Sequence, residues 1–257
     1  MAREPIPERC IAQEKWCRLV PGNYCMSAIL AVFNRDGQAV DQAVMGSMLA
    51  ASPDRAVDGE DCWWGGSVAL AHQHFWITAE EWGEKQPLVE RSGSPVIAAD
   101  VRLDNRGDLF RALNLDEGEQ GSTSDASLIL LAYRQWGTAC VERLLGEFAF
   151  VIWDAEARHL FAARDALGGR GLSYYMDARC CLIGSELGQI LAHPAVEGRV
   201  NVGKIGDFLV GLQHNQEDTL YEEISHCPPA HCLLITADAV RKWRYWDIDP
   251  GKRLYYK

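Results

Sequence analysis

No stretch of the 257 residues comes near the roughly 18 consecutive apolar residues that a membrane-spanning helix needs. Basic residues are the minority, 25 against 36 acidic, and a formal net charge of -11 leaves no basic face for nucleic acid. The acidic excess reads as solubility. Cysteine is plentiful, nine in all, but metal-binding spacing is absent: no Cys-x-x-Cys occurs, and Cys180 and Cys181 are adjacent. An odd count with no secretory leader fits reduced thiols in a cytoplasm. The leader is excluded by Arg3, Glu4, Glu8, Arg9, Glu14, Lys15 and Arg18, which spread charge where a signal peptide has its apolar centre. With Pro5, Pro7, Pro21 and Gly22 among them, residues 1–25 show no hydrophobic period and read as an extension without regular structure.

From Met26 the pattern changes. Ala28 to Phe33 is a short apolar run closed by Asn34-Arg35-Asp36-Gly37, a strand followed by a turn. Ala43 to Ala51 has helical spacing, with Val44, Met48 and Leu49 on one face. Strands are expected at Val68–His72, Pro95–Asp100, Phe148–Trp153, His159–Arg164, Tyr174-Tyr175, Cys181–Gly184 and Cys232–Ile235. A short helix begins at Leu109. The clearest helix runs from Ser124-Asp125 to Trp136, where Gly137 stops it. Ser185–Leu191 and Gly203–Leu209 are further helices. Strands outnumber helices and the two are interspersed, an order that suits two β-sheets covered by helices.

The motif order from Met26 resembles the amino-terminal domain of asparagine synthetases. Met26-Ser27-Ala28-Ile29 through Phe33-Asn34 looks like the family's opening Met-Cys-Gly-Ile…Phe-Asn. Arg55-Ala56-Val57-Asp58-Gly59, Ala71-His72-Gln73-His74, Gln86-Pro87-Leu88 and Leu103-Asp104-Asn105 follow in the family's order. Gly146-Glu147-Phe148-Ala149-Phe150, Arg164-Asp165-x-Leu167-Gly168, Ser185-Glu186, Pro228-Pro229-Ala230-His231 and Tyr245-Trp246-Asp247 complete the series over residues 26–250. Each motif is weak alone; the ordered series carries the resemblance. It implies an α+β, Ntn-hydrolase-like α-β-β-α sandwich of two mainly antiparallel sheets. It also implies a class II glutamine amidotransferase chemistry. In that chemistry an amino-terminal Cys attacks the glutamine amide with its own amine as base. An Asn and a Gly N–H hold the oxyanion. An Arg grips the substrate carboxylate and an Asp its ammonium.

The positions that carry this chemistry differ here. Ser27 stands at the nucleophile, internal as written, so its nitrogen is an amide unless processing, or translation from Met26, frees it. Cys25 is the other candidate nucleophile, but two residues away along an extended chain is about 6–7 Å. His74 replaces the carboxylate-binding Arg and cannot form the two-pronged contact. Asp100-Val101 replaces the oxyanion pair Asn-Gly; a carboxylate there repels the developing charge, and Val101 restricts the backbone. Asp125 is retained, readable either as the ammonium contact or as a helix N-cap that Ser124 could equally supply. Arg164-Asp165 and Ser185-Glu186 read as framework. The expectation is a degenerate amidotransferase domain, alone inactive, that serves as scaffold for an ATP-dependent amide-forming half of the asparagine-synthetase, β-lactam-synthetase or lasso-peptide-cyclase kind. The alternative is a Ser27- or Cys25-dependent amidohydrolase activated by loss of the extension.

The synthetase half of that family carries a Ser-Gly-Gly-Leu-Asp-Ser loop that cradles pyrophosphate. No such run occurs here, and Gly168-Gly169-Arg170-Gly171 falls in a framework turn. Residues 251–257 read as the start of a linker to that half, whether excised or a separate subunit. ATP and magnesium are expected in it and no cofactor or metal in this chain. The expected partners are the synthetase half and a peptide or small carboxylate substrate.

Overall fold

A computed structural model describes residues 26–212 and 215–251. The expectations for the extension 1–25, for Cys25 and for residues 252–257 lie outside the described residues. The first half runs β1 (Ala28–Asn34), α1 (Gln42–Ala50), β2 (Glu60–Trp64), β3 (Val68–Gln73), β4 (Leu88–Val89), β5 (Val96–Leu103), α2 (Arg106–Ala112) and α3 (Asp125–Trp136). The second half runs β6 (Gly146–Asp154), β7 (His159–Arg164), β8 (Ser173–Met176), β9 (Cys180–Gly184), α4 (Leu187–Leu191), α5 (Val202–Leu209), β10 (Ile224–His226), β11 (His231–Ile235) and β12 (Val240–Arg244). The expected strands and helices are present. The sequence pattern had missed β2, β4, β10 and β12. β4 and β10 are two and three residues long, and β2 and β12 are poorly buried, so neither apolar runs nor alternation marks them.

The strands form two six-stranded sheets, ordered β10-β8-β9-β1-β3-β2 and β12-β11-β7-β6-β5-β4, with every pairing antiparallel. Successive side chains along a strand point to opposite faces, so a strand apolar on both faces is covered on both. Ile29, Ala31 and Phe33 of β1 meet Ala149, Val151, Leu160 and Ala162 of the second sheet in the central core. The alternate residues Leu30 and Val32 pack with Met45, Met48 and Ile190 from α1 and α4. On the far side of the second sheet, Ile97, Phe148 and Phe150 pack against Leu128, Ile129 and Ala132 of α3. The layers are therefore helix, sheet, sheet, helix: an α+β sandwich of the Ntn-hydrolase type. Burying Leu128 and Ile129 contributes about 1.5–3 kcal/mol each, which anchors α3.

Two glycines are required by close approach. Gly146, at φ +148°, opens β6 where a Cβ would stand 2.1 Å from the Arg102 carbonyl oxygen of β5. Gly171 passes Ser185 so closely that a Cβ would lie 2.6 Å from its carbonyl oxygen. That contact ties the 165–171 turn to the start of α4.

Candidate functional site

Strand parity places the site. Ser27 shares parity with Ile29, His72 with Leu70, and Asp100 with Ala98, all central-core residues. These polar side chains therefore enter the inter-sheet layer where its apolar filling ends, at the mouth of β1, β3 and β5. Val101 has the opposite parity: its side chain packs toward α3, and only its neighbourhood on the strand borders the cleft.

Ser27 is engaged with the backbone of the segment after β3. Its Oγ accepts from Phe75 N at 3.0 Å and lies 3.3 Å from the Phe75 carbonyl oxygen. Arg55 donates to the Met26 carbonyl oxygen at 3.2 Å and pairs with Glu186, fixing the chain just before Ser27.

Asp100 is buried against Arg170, 3.3 Å from a guanidinium nitrogen. Burial pushes its carboxyl up to about 7, against the pull of Arg170 and Arg55. The expectation of a plain repulsive carboxylate is thus modified. Near neutral pH the group is divided between acid and anion, and the anion is already paired. Arg170 reaches Glu147 at 3.5 Å with its other terminal nitrogen. Its Nε is buried without an acceptor among the described residues.

His74 is the end of a hydrogen-bonded chain. His72 Nε2 faces the Ala99 carbonyl oxygen at 3.0 Å, so it must be the donor. Burial, then the charge of His74, hold His72 down at about 3, so His72 is neutral and its Nδ1 is an acceptor. His74 Nδ1, 2.8 Å away, therefore donates to it. His74 Nε2 lies 3.2 Å from Asp61 Oδ2. Both ring nitrogens of His74 are thus taken up inside the protein, one by His72 and one by Asp61 of β2, so the ring has none free for a ligand carboxylate.

The segment between β3 and β4 covers these groups. Trp76 N donates to Asp58 and its ring nitrogen to the Glu84 carbonyl oxygen, 3.0 and 3.1 Å. The Glu81 carboxylate accepts from Ile77 N and Thr78 N at 3.1 and 3.3 Å. Gln86 pairs with Ala99 like a strand residue, its amide oxygen accepting from Ala99 N at 2.8 Å and its nitrogen donating to the Ala99 carbonyl oxygen at 3.1 Å. Burial pushes Glu84 up to about 7, against hydrogen bonds from Ser124 and Gln86, and raises Glu81 likewise. Between Ser27, His74, Trp76, Glu81, Asp100 and Arg170 a cavity of about 20 Å³ remains, room for roughly one water molecule.

Asp125 lies apart from that cavity's lining. It accepts from Leu103 N at 2.7 Å and pairs with Arg106. The cap reading is corrected: Ser124 caps α3 through Ser127 N at 3.1 Å, because the cap residue precedes the first helical turn that Asp125 begins. Arg164-Asp165 and Ser185-Glu186 act as framework. Asp165 accepts from Leu167, Gly169 and Arg170 N. Arg164 donates to the carbonyl oxygens of Gly168, Arg170 and Cys227. Ser185 Oγ accepts from Ile29 N, and Glu186 makes a capping box with Gln189 on α4. Sequence reasoning missed Asp61, Glu81, Glu84 and Arg170. The signal for Arg170 was a lone charge inside a glycine turn; the others approach only through the folding of the 75–86 segment and the β2–β3 hairpin. Among the described residues no cluster of three or more His, Cys, Asp or Glu is placed to hold a metal, and no helix is long and apolar enough to cross a membrane.

Comparison with known proteins agrees with this frame. A model of the glutamine amidotransferase domain matches residues 26–246. Asparagine synthetase (glutamine-hydrolyzing) 3 of Bacillus subtilis is 30% identical over 215 residues, 82% of this chain and 35% of that protein. Amidase chry2 of Gibberella zeae is 25% identical over 85% of this chain and 32% of its own length. The chain thus spans about a third of each of these relatives. In fold it resembles the glutamine phosphoribosylpyrophosphate amidotransferase of B. subtilis, with a TM-score of 0.56 at 16% identity, over 85% of this chain and 49% of that one. The chain belongs to the glutamine amidotransferase domain family and is related to the asparagine synthetases.

Proposed function

We propose that this domain does not hydrolyse glutamine and serves as a scaffold for an ATP-dependent, amide-forming synthetase half. One observation carries the reading: each position that would bind glutamine is already committed inside the protein, and only about 20 Å³ is left among them. Ser27 is bonded to Phe75, His74 to Asp61 and His72, and Asp100 to Arg170. Loss of one oxyanion donor costs about 2.7–4 kcal/mol of barrier, a hundredfold or more in rate. Here the donor side chain is replaced by a carboxyl whose ionised form faces an arginine. In this reading ATP, magnesium and the substrate, a peptide or small carboxylate, belong to the synthetase half, and the cytoplasm is the compartment.

The test is direct. Purified protein is incubated with millimolar glutamine, and ammonia and glutamate are measured beside an intact-mass spectrum. The reading expects release no faster than the blank. Turnover that Ser27→Ala abolishes, with an amino terminus at Ser27, would overturn it in favour of a matured amidohydrolase.

A further inference from the structure

We infer that the outer edge of β2 takes up an extended, basic peptide segment as an added antiparallel strand. The inference goes beyond the scaffold reading and does not depend on it. β10, β2, β12 and β4 end the two sheets. An open edge presents unpaired N–H and C=O groups that another strand can join, so folded proteins guard their edges. β10 is covered by the 217–218 segment, through the Asp218–Ser225 bridge and the bond from His226 N to the Glu217 carbonyl oxygen. β4 is two residues long and follows Pro87. β12 carries Arg241, Lys242 and Arg244. β2 has none of these guards over Cys62-Trp63-Trp64, and among the described residues no strand pairs with its outer side.

The hydrogen-bond alternation fixes which groups are open. His74 N donates to the Gly59 carbonyl oxygen and Gly65 N to the Val68 carbonyl oxygen. The bonded pairs of the β2–β3 hairpin therefore fall at 59, 61, 63 and 65. Glu60, Cys62 and Trp64 aim their N–H and C=O groups away from β3, and their side chains share one face of the strand. At one end of that face stands Glu60, exposed, with one carboxylate oxygen accepting from Gln73 Nε2 at 3.1 Å. At the other end Trp64 is 39% exposed. Trp63, of the opposite parity, packs against the central core and lies over Gly65, where a Cβ would stand 2.2 Å from its ring. Trp63 is thus structural, and Trp64 is the ring left for a ligand.

Charge selects the occupant. The turn before β2 and its first residues carry Asp54, Asp58, Glu60 and Asp61 against Arg55, which is paired with Glu186. The Asp61 side chain stays 44% exposed beside its bond to His74. The Trp64 end runs into Gly65-Gly66 and carries no charge. A strand added antiparallel, like every pairing in both sheets, runs from the Trp64 end to the Glu60 end. It sets an apolar residue opposite Trp64 and, four residues later, a Lys or Arg opposite Glu60, at about 4.5–5.5 Å between Cβ atoms. Main-chain bonds supply the affinity, and the alternate side chains supply the choice of sequence. A second copy is disfavoured, because it would bring two such acidic turns together on chains that each carry a net charge of -11.

The probe is the capped peptide acetyl-Thr-Tyr-Thr-Val-Arg-Lys-Thr-amide, titrated into the full chain by calorimetry and followed by NMR of the protein amides. In register its Tyr, Val and Lys stand opposite Trp64, Cys62 and Glu60, with their N–H groups pointing at β2. Binding is expected, with the Glu60, Cys62 and Trp64 amides shifted. Methylating the Val nitrogen blocks the ladder and weakens binding about tenfold or more, whereas methylating the Arg nitrogen, which points outward, changes it by less than about twofold. Replacing the peptide's Arg and Lys by Glu also weakens it about tenfold or more. These changes are made in the probe, so they leave the protein's folding untouched. Trp64→Lys, at an exposed site, weakens binding with an unchanged Tm. Equal binding by the Val-methylated peptide would reduce the effect to surface charge and overturn the inference. So would equal binding by the Glu-bearing peptide, amide shifts confined to other strands, or no binding at millimolar peptide. A dimer in sedimentation that Trp64→Lys dissolves would give the edge to a second copy and overturn it as well.

Discussion

Asp61→Asn tests the proton arrangement beneath the cleft. In the wild type the Ala99 carbonyl oxygen forces His72 Nε2 to donate, neutral His72 accepts from His74 Nδ1, and the Asp61 carboxylate lies 3.2 Å from His74 Nε2. An asparagine amide at position 61 can still hydrogen-bond to that nitrogen, so no hydrogen bond is lost. What changes is the character of one bond. A hydrogen bond to a charged group contributes about 1.5–3 kcal/mol and a neutral one about 0.5–1.5. The difference is about 1 kcal/mol. Because the Asp61 side chain is 44% exposed, solvent screening brings the expected loss to about 0.5 kcal/mol, a fall in Tm of about 1–2 °C for a domain of this size. The assay is nitrogen-15 NMR of the imidazole rings at pH 7. In both proteins His72 carries its single proton on Nε2 and His74 keeps one on Nδ1. A His72 that gains a second proton near neutral pH, or a His74 whose Nδ1 carries none, would refute the hydrogen-bond accounting.

Burial raises Glu84 and Asp100 from the ordinary carboxylate range to about 7. Their folded values exceed their unfolded ones, so the stability tied to the protonated forms is complete below about pH 4 and lost as pH rises through 7. Urea unfolding at pH 5 and pH 8.5 should show that fall, and Glu84→Gln should flatten it by about 1–2 kcal/mol after allowance for partial exposure; an unchanged pH slope in the variant would refute the assignment. Gly146→Ala puts a methyl 2.1 Å from the Arg102 carbonyl oxygen at a φ of +148°. It should cost about 3 kcal/mol or more in urea unfolding, and a loss under 1 kcal/mol would mean that β5 and β6 separate more easily than their register implies.

The architecture was legible because its signals are local. Apolar runs such as Ala28–Phe33 and Phe148–Trp153 are buried on both faces, and Ser124 and Gly137 punctuate α3. A run that is apolar on both faces announces a covered strand whatever lies around it. The ordered motifs from Met26 to Tyr245-Trp246-Asp247 identified the family for the same reason, since each is a turn or strand end that its own residues dictate. The substitutions at Ser27, His74 and Asp100 were also visible in the sequence, as departures from a pattern. Their consequences were not. Whether Asp100 is an acid or an anion depends on burial and on Arg170, seventy residues on. Whether His74 has a nitrogen free for a ligand depends on which atoms face its ring, and one of those belongs to Asp61 on an edge strand without sequence signal. The closing of the cleft by the 75–86 segment, and the uncovered outer edge of β2, are likewise matters of which surfaces meet. Sequence by itself settled what each segment is, because secondary structure and motif follow from neighbours in the chain. Tertiary structure alone decided which charges are paired and which faces stay uncovered, because desolvation and hydrogen bonding act between residues that only the fold brings within a few ångströms.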